Sequence, residues 1–491
     1  MIEGLIEGAA PVMAEHCTAR GARGVVTASA PLAAAIGAEA IRAGGNAFDG
    51  VLAAAFAETV LLPPKCGLGG DLIALSVKAG ETEPVALIAI GGAAAGLSAV
   101  ATAGELHETG PTSVGPPGAP AGYLALAEHG TLRLDRLAAP AIALARDGFA
   151  WAPICTALTH EAAALLREQN PDGTVYLPDG RPIAPRALVT VPGLALVLEE
   201  LVACGDTVLK GALGAAVVEA VRRRGGTLTS DDLESASAEW VPAARGAAGS
   251  LPVWATPAPT HGASLLDAVA GFTGADGPAA VWDAVLAAIA RQRTSLGDPA
   301  VPDGTSAVSA ADAAGNAVVV VHSNSYPRFG SGIVVEGFDL VLNNRAGRGF
   351  TSVPGHPNFP VPGRRPATTL HAWAAGEVNG RPALLGATPG GVNQMPWNAQ
   401  LLADIVAGEL RPGVLATAPR WEWLPAGDGA VVEEDLGADA IDALLARVPG
   451  DHRRAGRWGL RSSYQVVAVP RQGHAVEAAA DPRTGGAAVA I

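Results

Sequence analysis

The sequence predicts an α+β fold in which helices cover a mixed sheet. In the first 300 residues, alanine-rich segments with helical periodicity, such as "PLAAAIGAEAIRAGG", alternate with short apolar runs such as "RGVVTAS". After Ser295 strand-like runs dominate, beginning with "SAVSAAD" and "AVVVVHS" on either side of "AAGN", a plausible hairpin turn. Interleaved helices and strands of this kind pack as layers around a shared core.

The predicted elements follow in chain order. Gly44 and Gly45 end the first helix, and a second helix runs from Ala47 to Leu62. "CGLGGDLIALSV" predicts a glycine-rich turn that leads into a strand. Further helices are predicted in "GAPAGYLALAEHG", "RLAAPAIALARDGF", "LALVLEELVACG", "LGAAVVEAVRRRGG" and "VNQMPWNAQLLADIVAGE". Further strands are predicted in "SGIVVEG", "DLVLNN", "RPALLGAT", "SSYQVVAVP" and "AVEAAAD".

Composition excludes several classes of function. The net charge is −14 and there is no tract of basic residues, so we expect neither nucleic acid nor a membrane as a partner. Hydrophobic residues make up 49%, but no apolar run is long enough to span a bilayer. The four cysteines are widely spaced, which argues against a zinc site or a disulfide framework. We expect no metal and no cofactor. The amino terminus lacks a cationic leader, so we expect a cytoplasmic protein.

Thr305 is the candidate nucleophile. It opens a predicted strand directly after "VPDG", and a threonine hydroxyl needs an adjacent base to attack at neutral pH. Cleavage of the Gly304–Thr305 bond would give Thr305 a free α-amine with a pKa of about 7.7–8.0, which can accept the hydroxyl proton. The alternative is that Thr305 is an ordinary residue at the start of a strand.

A resemblance favours the nucleophile. The chain resembles the γ-glutamyltransferase family of N-terminal-nucleophile hydrolases in a series of ordered blocks. These are "RAGGNAFDGVLAAAFAETVLLPPKCGLGGDL", "GPPGAPAGYLALAEHGTLRLDRLAAPAIALARDGF", "TSAVSAADAAGNAVVVV", "FGSGIVVEGFDLVLNN", "RRPATTL" and "TPGGVNQ". The resemblance implies a four-layer αββα sandwich. It also implies one domain in two parts, residues 1–304 and 305–491, separated by self-cleavage into a heterodimer. Further oligomerisation is left open.

The same resemblance implies roles for particular residues. Thr305 falls on the nucleophile, the Gly304–Thr305 bond on the cleavage site, and Ser323 on a hydroxyl residue that assists the nucleophile. Either Asn324 or Ser325 matches the next position of the family pattern, and both are candidates for binding substrate. Two pairs complete the set: Thr368 and Thr369 replace the serines that bind substrate, and Gly390 and Gly391 match the oxyanion-hole glycines, which bring backbone N–H groups close to a developing alkoxide.

Three departures from the family pattern bear on specificity. The arginine that holds the α-carboxylate of a γ-glutamyl group is missing from "IAIGGAAAG". An acidic residue that holds the α-amino group is replaced in "NNRAGRGF", where Arg345 and Arg348 stand. Ala307 replaces a histidine. A guanidinium repels an α-amino cation and can bind a carboxylate bidentately, so we expect a carboxylate-bearing small-molecule substrate.

These departures resemble a natural-product subset of the family that acts on alkylproline precursors. We therefore expect hydrolysis of an acyl or C–C bond in a keto-acid or oxalyl-type substrate. The alternatives are an amidohydrolase for an acyl acid, an ordinary γ-glutamyl transferase or glutathione hydrolase, and a non-catalytic relative that binds a carboxylate. The segment before Thr305 is shorter than is usual in the family, which leaves the efficiency of self-cleavage open.

Overall fold

The computed structural model describes residues 14–296 and 304–491. The amino-terminal residues 1–13, in which we expect no cationic leader, and the "VPD" approach to Gly304 lie outside the described residues. The strands are β1 Thr18–Gly21, β2 Gly24–Ala28, β3 Asp71–Val77, β4 Val85–Ala89, β5 Phe149–Ala150, β6 Leu188–Val189, β7 Glu239–Pro242, β8 Ala244–Ala248, β9 Leu251–Ala255, β10 Thr305–Asp312, β11 Ala317–Ser323, β12 Val334–Val335, β13 Leu340–Val341, β14 Trp373–Ala375, β15 Leu384–Ala387, β16 Trp421–Leu424, β17 Gly429–Glu433, β18 His452–Ala455, β19 Gln465–Ala468, β20 Val476–Ala480 and β21 Ala487–Ala490.

The α-helices cover the two outer faces of the molecule. They are α1 Pro31–Arg42, α2 Ala47–Leu61, α3 Leu97–Thr102, α4 Ala119–Ala127, α5 Leu134–Asp147, α6 Pro153–Gln169, α7 Pro192–Cys204, α8 Ala212–Arg222, α9 Ser230–Glu234, α10 Gly262–Val269, α11 Pro278–Leu296, α12 Arg345–Gly349, α13 Gln394–Val406, α14 Pro412–Thr417 and α15 Ala438–Leu445. The helix predicted from Ala47 begins with a capping box, in which Asn46 and Asp49 each accept a backbone N–H of the other.

Two seven-stranded sheets form the centre. One has the order β21-β2-β10-β11-β3-β4-β7, and the other has the order β1-β20-β19-β15-β14-β9-β8. Each sheet therefore combines strands from before and after residue 305. The sheets are antiparallel throughout, and we call them the nucleophile sheet and the second sheet.

The core has three parts, which define four layers. Val319 and Val321 of the nucleophile sheet pack with Trp254 and Leu385 of the second sheet between the two sheets. The outer face of the nucleophile sheet packs on helices α1 to α8, and the outer face of the second sheet packs on α10, α11, α13 and α15. This arrangement confirms the predicted αββα sandwich.

The predicted hairpin is present. β10 and β11 pair antiparallel, and their first pair is Thr305 with Ser323. The runs "SGIVVEG" and "DLVLNN" supply only the short strands β12 and β13, which form a separate two-stranded ribbon rather than joining a main sheet.

Among the described residues no single helix combines the length and hydropathy of a membrane span. One bent pair, Pro192–Lys210 with Ala212–Arg222, meets that test by length and composition.

Candidate active site

Thr305 begins a row of polar side chains at one end of the central strands of the nucleophile sheet. Thr305 pairs with Ser323 on β11, and Ser323 pairs with Asp71 on β3. Residues that are paired across neighbouring strands point to the same face, so the three side chains lie side by side. Thr305 Oγ1 and Ser323 Oγ are 3.0 Å apart. The predicted nucleophile and its assisting hydroxyl are therefore in direct contact.

The carbonyl group at the predicted cleavage site belongs to the same network. Ser323 Oγ donates to the Gly304 carbonyl oxygen at 2.7 Å, and it accepts the backbone N–H of Ser325 at 2.9 Å. A Cβ atom on residue 304 would lie 1.7 Å from the Ser325 carbonyl oxygen, so only glycine fits there. The Ser323 hydroxyl therefore contacts both Thr305 Oγ1 and the Gly304 carbonyl, the group that Thr305 Oγ1 would attack.

Thr305 and Ser323 of this row, together with Ser325, form one wall of a cavity of about 520 Å³. The other lining residues are Leu106, Glu108, His261, Gly304, Tyr326, Arg345, Gly347, Arg348, Gly349, Phe350, Thr351, Ser352, Val353, His356, Asn358, Ala367, Thr368, Thr369 and Gly391. The cavity thus joins most of the predicted site residues in one place.

The predicted oxyanion glycines follow β15 at the second sheet. Gly390 has φ 146°, and a Cβ atom there would lie 2.3 Å from the Trp397 ring, so this position requires glycine. Gly391 lines the cavity. When the Gln394 amide is oriented to satisfy both neighbours, its oxygen accepts the Gly391 N–H at 3.2 Å. A substrate oxyanion at Gly391 would have to share that donor with Gln394.

Thr368 and Thr369 also line the cavity, and backbone contacts hold both in place. The Thr368 N–H donates to the Pro259 carbonyl, and the Thr368 carbonyl accepts the His261 N–H, each at 3.0 Å. His371 Nδ1 donates to the Thr369 carbonyl at 2.8 Å. Burial lowers the pKa of His371 to about 4 and that of His261 to about 3, so both imidazoles are neutral at physiological pH.

The structure gives Asn324 and Ser325, the two candidates that follow Ser323, different surroundings. Ser325 lines the cavity and has φ 72°, a left-handed conformation that is uncommon for serine. Asn324 is fully buried, lies against Gly67 and Gly70, and donates to the Pro63 carbonyl at 3.3 Å. The geometry therefore favours Ser325 over Asn324 as a residue that meets substrate.

Both predicted arginines line the cavity, but neither is an unpaired cation. Arg345 Nε donates to Asp71 Oδ2 at 2.7 Å, and Arg348 forms an ion pair with Glu108. The expectation of strong repulsion between bare guanidinium groups and an α-amino group therefore needs correction. A buried charge requires a partner, and the protein supplies one to each arginine. Arg348 also lies 5.6 Å from the centre of the Tyr326 ring.

The two pairs differ in their surroundings. Asp71 is fully buried and Arg345 is nearly so, whereas Glu108 is largely exposed at the cavity mouth. Burial raises the pKa of the Asp71 carboxyl, and the Arg345 guanidinium opposes that effect. Arg345 Nη2 is buried, yet it has no hydrogen-bond partner in the described part of the chain. Nη2 is closed to a water-sized molecule, so a ligand in the cavity would meet other parts of the Arg345 side chain.

Sequence reasoning missed Asp71, Glu108 and His261. A signal for Asp71 was present, because it is a charged residue at the start of an otherwise apolar strand. Glu108 and His261 stand in segments with no comparable pattern. Their contacts with Arg348 and Thr368 depend on how distant parts of the chain fold together.

A second buried polar group lies on the opposite face of β11. His322 Nε2 is 2.9 Å from Glu58 Oε2, and its Nδ1 is 2.7 Å from the Tyr123 hydroxyl. Glu58, Cys66 and His322 offer ligand atoms within 4.8 Å of one another, so they form the set that could hold a metal ion. Their polar atoms already bond within the protein: Cys66 Sγ donates to the Glu58 carbonyl at 3.7 Å. Hydrogen bonding alone accounts for this cluster.

Comparison with known proteins identifies the class. The family described as gamma-glutamyltranspeptidase matches residues 33–300 and 278–491, and the chain belongs to that family. It is therefore an enzyme of the gamma-glutamyltranspeptidase family, with the N-terminal-nucleophile hydrolase fold.

Curated relatives include several proenzymes. The acylase ACY 1 proenzyme of Pseudomonas sp. (strain V22) is 28% identical, covering 88% of this chain and 88% of its own length. The oxamate amidohydrolase proenzyme of Klebsiella pneumoniae is 26% identical, covering 96% and 99%. The glutathione hydrolase proenzyme of Escherichia coli (strain K12) is 25% identical, covering 87% and 86%.

Solved structures give the same fold. Cephalosporin acylase from Bacillus halodurans superposes with a TM-score of 0.84 at 26% identity, covering 96% of this chain and 97% of its own. The structure of LmbA2991T421A superposes with a TM-score of 0.85 at 23% identity, covering 96% and 99%. The second of these is similar in fold alone.

Proposed function

We propose that this protein is a self-processing N-terminal-threonine hydrolase that removes a short, carboxylate-bearing acyl group from an amine. The observation that carries the proposal is the hydroxyl chain from Thr305 through Ser323 to the Gly304 carbonyl, in one cavity with the Arg345 guanidinium. The relatives named as an acylase and an oxamate amidohydrolase support cleavage of an amide.

Self-processing follows from the contacts of Ser323. Thr305 Oγ1 attacks the Gly304 carbonyl carbon and gives its proton to Ser323 Oγ, while Ser323 gives its own proton to the carbonyl oxygen. The Ser325 N–H, which donates to Ser323 Oγ, holds that hydroxyl in place. The C–N bond then breaks as the hydroxyl of the tetrahedral intermediate gives its proton, through Ser323 Oγ, to the nitrogen, which leaves an ester on Thr305 Oγ1 and a free α-amine. Water hydrolyses the ester and releases the Gly304 carboxylate.

Turnover reuses the same oxygen. The new α-amine accepts the Thr305 hydroxyl proton as the oxygen attacks the substrate carbonyl. The oxyanion meets the Gly391 N–H, and the leaving amine takes the proton from the α-ammonium group. Water then hydrolyses the acyl ester. The side chains of Ser323 and Ser325 themselves add no formal charge to this end of the cavity.

The acyl group is short because the arginine is near. Asp71, which holds Arg345, is two strands from Thr305, and two strand spacings amount to about 10 Å. We infer that a short acyl group, such as oxalyl or succinyl, reaches from Thr305 to Arg345. An α-keto acid places its carboxylate in the same position, so cleavage of a C–C bond next to the carbonyl is the second candidate. Because the sequence departures resemble those of a natural-product subset of the family, we propose that the reaction belongs to natural-product biosynthesis.

The test compares acyl p-nitroanilides of increasing length. We expect the oxalyl and succinyl compounds to react faster than γ-glutamyl p-nitroanilide. Arg345→Gln should raise KM for the succinyl compound by about 10- to 100-fold, since a hydrogen bond to a charged group contributes about 1.5–3 kcal/mol. Arg42→Gln, in an exposed pair on α1, is the matched control. Preference for the γ-glutamyl compound would instead establish ordinary γ-glutamyl transfer, and an intact, inactive chain would establish a binding protein.

A further inference from the structure

Asp71 is the third member of the row that contains Thr305 and Ser323. It is fully buried, and both of its carboxylate oxygens are engaged. Oδ1 accepts the Gly91 N–H at 3.2 Å, and Oδ2 accepts Arg345 Nε–H at 2.7 Å. The carboxylate is therefore fixed from two sides, by the backbone and by the arginine.

This arrangement determines which part of Arg345 meets the cavity. The Nε edge of the guanidinium is occupied by Asp71 and Nη2 is buried, while the residue as a whole lines the cavity. Ion pairing also makes the unit neutral overall. A ligand is then selected by whether it can accept a hydrogen bond from the part of the guanidinium that meets the cavity, and a carboxylate is the strongest such acceptor.

We propose that Asp71 is a positioning residue for acyl-group selection, which fixes Arg345 so that the enzyme prefers a carboxylate-bearing acyl group to a neutral one of equal length. The inference rests on the proposed function, in which Arg345 binds the acyl carboxylate. Asp71 itself does not touch substrate.

Asparagine is an informative replacement at this position. Its amide has one acceptor oxygen where the carboxylate has two, and its NH₂ group would face either the Gly91 N–H or Arg345 Nε–H. One donor therefore loses its acceptor, and Arg345 loses both its fixed direction and its compensating charge. Replacing Arg345 as well removes the buried charge, so the double variant is expected to fold even where the single variant does not.

The experiment measures kcat/KM for succinyl p-nitroanilide and for butanoyl p-nitroanilide, which differ by the carboxylate. Asp71→Asn should lower the succinyl-to-butanoyl ratio by at least about tenfold, the loss of one charged hydrogen bond. Asp312→Asn, at a buried carboxylate that accepts the Ala47 N–H, is the control and should leave the ratio unchanged. An unchanged ratio in Asp71→Asn, with both substrates slowed equally, would overturn the inference.

A comparison with the double variant keeps the test valid if Asp71→Asn alone folds poorly. It also distinguishes failure of the role inferred for Asp71 from failure of the proposed function. If Asp71 acts through Arg345, Asp71→Asn placed in an Arg345→Gln background should leave the ratio at the value of Arg345→Gln alone. A further drop in the double variant would overturn the inference. If Arg345→Gln alone leaves the ratio at the wild-type value, the proposed function itself fails, whatever Asp71 does.

Discussion

The two ends of the cavity are built on different principles. The nucleophile end consists of small hydroxyl groups on paired strands, Thr305 and Ser323, held by sheet register. The arginine end consists of two long charged side chains from the short helix α12, Arg345 and Arg348, each paired with an acid from a distant segment. The first end is suited to moving a proton between neutral groups, and the second is suited to recognising an anion. Chemistry and specificity are therefore separable by mutation.

The largest effect is expected at the nucleophile end. Ser323→Ala removes the hydroxyl that donates to the Gly304 carbonyl, and it should slow self-cleavage by about 10²- to 10³-fold, as the loss of one oxyanion donor does elsewhere. The measurement is the rate at which newly purified chain splits, followed by denaturing electrophoresis. Ser306→Ala, a buried hydroxyl on the adjacent position of β10, is the control. Unimpaired splitting of Ser323→Ala would show that Ser323 takes no part.

The second prediction concerns Glu58, which contacts His322 on the face of β11 opposite Ser323. Glu58→Gln keeps the shape of the side chain, but its NH₂ group would face either the Ala30 N–H or His322 Nε2. We expect a loss of about 1–3 kcal/mol in the free energy of unfolding, the cost of leaving one buried polar group without a partner. Chemical denaturation of the processed protein measures it. Glu39→Gln, in an exposed pair, should change stability by less than about 1 kcal/mol, and equal effects of the two variants would contradict this account.

The smallest expected effect is the change in the free energy of unfolding with pH that His371 causes. Burial lowers the pKa of His371 from 6.5 to about 4, so the unfolded chain takes up a proton at a higher pH than the folded protein does. The contribution of this group to stability is complete above pH 6.5 and decreases as the pH falls toward 4. At pH 5 the loss amounts to about 1–2 kcal/mol. Denaturation at pH 7 and pH 5 should show a smaller difference in His371→Gln than in the wild type, and an identical difference would refute the assignment.

The sequence predicted the hairpin that carries Thr305 because the information for a hairpin is local. The alternation in "SAVSAAD" and "AVVVVHS" around a short turn determines the register, and that register brings Thr305 to Ser323. The four layers were also predictable, through the family resemblance and the helical periodicity. The glycine requirement at Gly390 became explicable only when the Trp397 ring was located.

The arginine end was only half predictable. The positions of Arg345 and Arg348 beside the cavity followed from the resemblance, but their charge state as pairs did not. Asp71 is 274 residues from Arg345 in sequence, and such a contact leaves no periodic signal. The choice between Asn324 and Ser325 likewise depended on backbone geometry, because neighbouring residues in a tight turn point in different directions.

The central claim is that Thr305 becomes a chain terminus and then uses its own amine. The most direct measurement is intact-mass analysis with amino-terminal sequencing of the purified protein, alongside Thr305→Ala. We predict two chains, residues 1–304 and 305–491, with Thr305 as the new amino terminus, and an uncut, inactive Thr305→Ala variant. A single uncut chain that still turns over substrate, or an active Thr305→Ala variant, would contradict the account.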